Sequence, residues 1–211
     1  MDIKDIDFYF ITDSTLTQNG VIEDVRAALD AGVKIVQYRE KDKSVDVGEE
    51  ARVLRELCRG KALFIVNDYV DLAKRVDADG VHIGQSDGDY LEAREKLGKD
   101  KIIGVTVHNV GEALEAQKVG ADYLGVAPIY ETITKSDAGY GIGLDVLANI
   151  RKAVDLPIVA VGGINLDNLE DVINHGADSV VAIGAVLRNG DVGSNIKRFI
   201  ETIKQIKDGY K

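Results

Sequence analysis

Short apolar runs alternate with amphipathic stretches along the whole chain. The apolar runs show no polar face, as strands of a parallel sheet covered on both sides do. The stretches between them carry apolar residues three and four apart, the period of a helix lying on one face. Strands are predicted at 7–12, 33–40, 62–67, 81–85, 101–108, 123–130, 157–161 and 179–183. Helices are predicted at 21–31, 44–59, 70–76, 89–97, 110–119, 144–154, 166–174 and 192–207. Gly32, Gly60, Gly98 and Gly120 stand where four of these helices must stop. A weak repeat marks the returns from helix to strand: Ala31-Gly32-Val33, Ala78-Asp79-Gly80, Gly120-Ala121-Asp122 and Gly176-Ala177-Asp178.

Eight strand–helix pairs in unbroken alternation imply a parallel sheet. A chain of 211 residues is close to the lower size limit of a closed (β/α)8 barrel. The alternative is an open doubly wound sheet, but the glycine-rich first turn of a dinucleotide fold is missing after Thr12. The chain is read as an α/β protein, a single (β/α)8 TIM barrel domain over residues 1–211.

One connection breaks the rhythm. After the apolar run 123–130 come Thr132, Thr134, Lys135 and Ser136 among Gly139, Gly141 and Gly143. Connections in such folds are short, so a loop this long is read as a binding loop or lid. Its threonines and lysine suit an anionic substrate, and its glycines let the backbone close over one.

Composition narrows the partners. The formal net charge of −10 argues against nucleic acid or an anionic membrane. Any phosphate must then be held by local cations against the global field. No apolar run reaches the length of a membrane span, and the first ten residues carry acids where a signal peptide carries basic residues. The single Cys58 excludes an intramolecular disulfide and fits a reducing cytoplasm. It sits among helix-like apolar residues and is read as packing. The acidic helices leave a soluble homo-oligomer open.

In a barrel, functional residues lie where strands hand over to helices. Side chains alternate along a strand, so Gln37, Arg39 and Lys41 share the face of Val33 and Ile35. A guanidinium and an ammonium at a barrel mouth suit a di- or triphosphate; an external salt-bridge cluster would need the opposite parity. The third strand ends in Asn67-Asp68. The fourth ends in Gln85-Ser86-Asp87, with Asp87 in the parity of Val81 and Ile83. Asp68 and Asp87 are read as Mg2+ ligands beside that clamp, with helix N-capping as the alternative. Thr106 is placed to donate to phosphate. His108 is either a general acid/base or a histidine satisfied by backbone contacts, while His82 and His175 are read as structural. Gly162-Gly163 and Ile183-Gly184 follow the last two strands, where backbone N–H groups can converge on a phosphomonoester. Two anion sites in one mouth suit joining two phosphorylated molecules better than isomerising one.

These motifs together resemble thiamine-phosphate synthase. Gln37-Tyr38-Arg39-Glu40-Lys41, Asn67-Asp68, His82 to Asp87, Gly104 to His108, Pro128 to Lys135 and Val161 to Ile164 follow the family's order almost end to end. The resemblance implies a cytoplasmic transferase of thiamine biosynthesis. It would couple 4-amino-2-methyl-5-pyrimidinylmethyl diphosphate to 4-methyl-5-(2-hydroxyethyl)thiazole phosphate, releasing pyrophosphate by a dissociative substitution. By that resemblance Gln37, Arg39, Lys41 and Asn67 hold the pyrimidine diphosphate, and Asp68 and Asp87 bind Mg2+. Thr106 and Lys135 contact the pyrophosphate, and Thr132 and Thr134 line the thiazole side. Backbone at Gly163, Ile183 and Gly184 takes the thiazole phosphate. The catalytic work, stabilising the departing pyrophosphate, falls to Arg39, Lys41, Lys135 and Thr106. Glu131, where many members carry proline, and Gly184, where serine is common, depart from the family pattern. The rival readings are a thiazole tautomerase of the same fold using His108, and a sugar-phosphate isomerase or epimerase.

Overall fold

The computed structural model describes residues 3–42, 44–85, 88, 90–132 and 140–209. Eight strands alternate with helices: β1 (Phe10–Ile11), α1 (Val21–Asp30), β2 (Ile35–Tyr38), α2 (Val47–Cys58), β3 (Leu63–Asn67), α3 (Val70–Arg75), β4 (Gly80–Ile83) and α4 (Tyr90–Leu97). The second half continues with β5 (Ile102–Val107), α5 (Val110–Val119), β6 (Tyr123–Val126), α6 (Leu144–Ala153), β7 (Ile158–Val161), α7 (Leu169–Asn174), β8 (Ser179–Val181), α8 (Ile183–Leu187) and α9 (Val192–Gly209). All pairs are parallel, in the order β1 to β8. Closure comes from a bridge between Phe8 and Val180, where the Tyr9 N–H donates to the Val180 carbonyl at 3.0 Å. The sheet therefore has no free edge and is the expected barrel.

The boundaries shift where local chemistry intervenes. Helix α2 starts at Val47, three residues later than expected, because the Asp46 carboxylate caps it by accepting the Gly48 and Glu49 N–H groups. Strand β6 ends at Val126, four residues early. Strand β8 ends at Val181, and the short α8 fills the space expected to be strand end and loop.

Two apolar layers hold the barrel. Outward-facing Val36, Phe64, Ile103 and Leu124 pack against helix residues such as Val25, Leu54, Leu147 and Phe199. Each fully buried side chain of this size contributes about 1.5–3 kcal/mol through the hydrophobic effect. Inward-facing Tyr9, Ile11, Ile35, Ile65, Tyr123, Val159 and Val181 fill the lumen, with Ile3 and Ile6 in the same cluster. On β4 the parity is opposite to expectation. Val81 and Ile83 belong to the outer layer, and His82 points inward. Val33, which precedes β2, also packs outside.

The helix-to-strand repeat has a structural meaning at three of its four positions. Asp79, Asp122 and Asp178 each donate a backbone N–H to the carbonyl of Phe64, Ile103 or Ile158 at 2.9 Å. Each carboxylate then accepts the N–H of that same partner residue, at 2.7, 2.7 and 2.8 Å. An arginine from the preceding even-numbered helix closes the unit: Arg55 on Asp79, Arg94 on Asp122, Arg151 on Asp178. Strand pairs β3–β4, β5–β6 and β7–β8 are thus bolted at the end where strands begin. Asp178→Ala removes one bolt and leaves the Ile158 N–H without its acceptor. A loss of about 1–3 kcal/mol is expected in urea denaturation, with kcat unchanged, because this end lies opposite the strand C-termini.

Candidate active site

A cavity of about 500 Å³ opens at the C-terminal ends of the strands. Gln37, Arg39 and Lys41 reach it from β2 and its exit, Asn67 and Asp68 from β3, and Thr106 from β5. Thr132, Gly163, Ile183 and Gly184 line the remaining side. Every predicted site residue among those described is in this wall. Asp87, Thr134 and Lys135 lie outside the described residues.

The cationic side is rigidly framed. Arg39 Nη1 lies 3.1 Å from Asp13 Oδ2, and the Asp13 side chain is almost wholly buried. Thr12 Oγ1 accepts the Arg39 N–H at 2.9 Å and donates to the Arg39 carbonyl at 3.1 Å. Glu40, pointing the other way, is buried and accepts from Ser14 Oγ at 2.7 Å and from the Asp42 N–H at 2.6 Å. The segment after β1 therefore braces the segment after β2 from below. Lys41 Nζ sits 3.1 Å from Asp68 Oδ2, which also accepts from Asn67 Nδ2 at 2.6 Å. Asp68 has φ of 63°, a left-handed conformation costly for a non-glycine residue. Its carboxylate makes no capping bond to α3, for which Tyr69 is the N-cap residue. The capping alternative for Asp68 is thereby removed, and the carboxylate is left facing the mouth.

The opposite wall is backbone. Gly162 and Gly163 have φ of 108° and 65°. A Cβ on either would come within 2.7 Å of Pro128 or Tyr130, so the turn needs glycine twice. The first N–H groups of α8, at Ile183 and Gly184, lack intrahelical acceptors because they open a helix. Arg188, at the end of α8, lines the same side.

Sequence reasoning missed the floor of the cavity. Beneath the mouth a chain of hydrogen bonds crosses the lumen. Gln37 Nε2 donates to Tyr9 Oη at 2.9 Å, and the Tyr9 and Tyr123 hydroxyls are 2.8 Å apart. His82 Nδ1 is 3.0 Å from Tyr123 Oη, and its Nε2 is 2.8 Å from Thr106 Oγ1. His82, read from sequence as structural, lines the cavity wall and is joined to the predicted Thr106. Two inward glycines were the available signal. A Cβ on Gly104 would lie 2.1 Å from Tyr123 Cζ, and one on Gly125 would lie 2.8 Å from His82 Cε1. Glycine within a strand marks such close approach.

The other candidates sit elsewhere. His108 is outside the cavity wall; its Nδ1 is 2.9 Å from Glu112 Oε2, which also accepts the His108 N–H at 2.7 Å. Burial works to raise the Glu112 pKa, but these bonds and that from Asn109 outweigh it and hold the carboxyl below its usual range. The imidazole is therefore held by a side-chain carboxylate and not by the backbone contacts expected. His175 Nδ1 lies 2.6 Å from the Asp171 carbonyl at the end of α7. Cys58 is fully buried, and burial pushes its thiol up to about 12, so it packs and does not react.

The chain is similar to known proteins along nearly its whole length. A family model described as thiamine monophosphate synthase matches residues 8–186. A thiamine-phosphate synthase of Methanosarcina barkeri is 52% identical over 97% of this chain and 94% of that protein. One from Methanosarcina mazei is 51% identical over 97% of this chain and 86% of its own length. A solved thiamine phosphate pyrophosphorylase from Pyrococcus furiosus superposes with a TM-score of 0.87 at 38% identity, covering 97% of this chain and 98% of that one.

The brace beneath the clamp can be tested without substrate. Thr12→Val keeps the shape but strands both backbone groups of Arg39, and should cost about 1–3 kcal/mol in urea unfolding. Thr12→Ser, which keeps the hydroxyl, should cost well under half of that.

Proposed function

The chain belongs to the thiamine monophosphate synthase family, and from that premise we propose how its cavity carries out the coupling. It is a transferase, a thiamine-phosphate synthase. The substrates are the pyrimidinylmethyl diphosphate and the thiazole phosphate, and the products are thiamine monophosphate and pyrophosphate. The observation that carries this reading is the pair of facing walls. One holds Arg39, Lys41, Asn67 and Asp68; the other is the glycine turn at 162–163 with the start of α8. One wall suits a diphosphate and the other a phosphomonoester.

In the proposed reaction the pyrimidinylmethyl C–O bond breaks with its electron pair passing to the pyrophosphate. The thiazole nitrogen lone pair then forms the new C–N bond, and no proton needs to move. The barrier therefore falls mainly through stabilisation of the departing charge, where one well-placed donor is worth about 2–4 kcal/mol. Arg39, already held by Asp13, offers a bidentate fork without reorganising. Lys41 supplies a second cation when it swings from Asp68 to the phosphate. Lys135 is assigned to the pyrophosphate, and Thr132 and Thr134 to the thiazole side. Gln37 and Asn67 orient the diphosphate substrate, and the backbone of Gly163, Ile183 and Gly184 takes the thiazole phosphate.

Asp68 also fits Mg2+, which takes one or two carboxylates and completes its shell with phosphate oxygens and water. Asp68 and Asp87 are the proposed ligands; an ion held there would supply positive charge against the leaving pyrophosphate. No helix among the described residues is long and apolar enough to cross a membrane, and we place the reaction in the cytoplasm.

The test is pyrophosphate release by purified protein with Mg2+ and both substrates, repeated with EDTA and with Asp87→Ala. Release should need both substrates and fall at least about a hundredfold in the chelated and mutant samples. Release without the thiazole phosphate, or thiazole isomerisation abolished by His108→Ala, would overturn the reading.

A further inference from the structure

We propose that His82 is a positioning residue, fixed from below by the Tyr9–Tyr123 hydroxyl pair, that turns the Thr106 hydroxyl proton into the cavity as a donor to an anionic oxygen. The proposal rests on the synthase reading for the identity of that oxygen, which belongs to the diphosphate substrate.

The direction follows from counting protons along the chain. The Gln37 amide N–H donates to Tyr9 Oη at 2.9 Å. A phenol has one proton, so Tyr9 sends its own to Tyr123 Oη at 2.8 Å. Tyr123 sends its proton to His82 Nδ1 at 3.0 Å. Nδ1 is then an acceptor, the ring proton sits on Nε2, and Nε2–H donates to Thr106 Oγ1 at 2.8 Å. The threonine proton is left to point elsewhere, and Thr106 lines the cavity. Burial holds both phenols well above their usual range, so both remain donors.

Running the chain backwards requires Gln37 to turn its carbonyl to Tyr9 and Thr106 to give its proton to His82. At Thr106 that would turn oxygen lone pairs toward an anion in the mouth. An anionic oxygen beside Thr106 therefore favours the forward sense. The arrangement is also sterically fixed: the bare Cα of Gly125 admits the His82 ring, and that of Gly104 admits Tyr123. A buried polar chain satisfied at every link is rigid, and breaking one link exposes the next.

Two measurements test this. Long-range 15N–1H NMR of the imidazoles, with the His82 signals assigned by their loss in His82→Phe, should show the proton on Nε2. A proton on Nδ1, or on both nitrogens, overturns the proposal whether or not the protein turns over substrate. In pyrophosphate release, His82→Phe should lower kcat about tenfold, the size expected for one misdirected hydrogen bond, with KM for the thiazole phosphate unchanged. In a Thr106→Ala background the same substitution should have no further effect, because the two residues act as one unit. Independent, multiplying losses would overturn it. If His82→Phe fails to fold, the isosteric Tyr123→Phe carries the same cycle with the same expected outcomes. An inactive parent protein would sink the synthase reading instead and leave the NMR result to decide the wiring.

Discussion

The lumen of an eight-stranded barrel has a fixed volume, and how it is filled governs what its mouth can do. Here the filling is uneven. Tyr9 and Tyr123 are large, and the strand beside Tyr123 answers with the inward Gly104. Burying two phenols is costly unless their hydroxyls are bonded. They bond to each other and, through Gln37 and His82, to the cavity floor. A packing requirement deep in the barrel thus becomes the orientation of polar groups beneath the cavity.

The two ends of the barrel divide the labour. Where strands begin, Asp79, Asp122 and Asp178 tie neighbouring strands through paired backbone and carboxylate bonds, each backed by an arginine. Where strands end, polar groups brace the clamp in a different way. Thr12 and Asp13 hold Arg39, and Ser14 holds Glu40. In a chain of formal net charge −10, the proposed phosphate contacts depend on local cations held in place. Asp13 does this for Arg39 in a nearly dry environment. The Lys41–Asp68 pair is more exposed at the lysine, so its ion pair is weaker.

How legible this was depended on the strand. On β2 the alternation ran straight from Ile35 through Gln37, and Arg39 and Lys41 reached the cavity as expected. On β4 the same reasoning failed. Both faces of that strand are apolar or nearly so, and parity alone does not say which faces the lumen; Val81 and Ile83 face the helices. Asp87 therefore draws no support from parity, and it lies outside the described residues. Asp13 and the phenol pair were invisible because their partners are more than 20 residues away in sequence. Helix α8 was missed because Ile183 to Leu187 continues the apolar run of β8, and a short run does not tell strand from buried helix. The closed barrel itself, its eight units and the glycine wall were readable because each rests on local pattern alone.

The central claim is that one cavity holds two anion sites on facing walls at the same time. Calorimetric titration of pyrophosphate into protein saturated with thiamine monophosphate, in the presence of Mg2+, tests it most directly. Both products should bind together, with a pyrophosphate affinity within about tenfold of that for the protein alone, a coupling of under roughly 1.4 kcal/mol. Mutual exclusion, with each ligand displacing the other, would contradict two facing sites and leave a single anion site in the mouth.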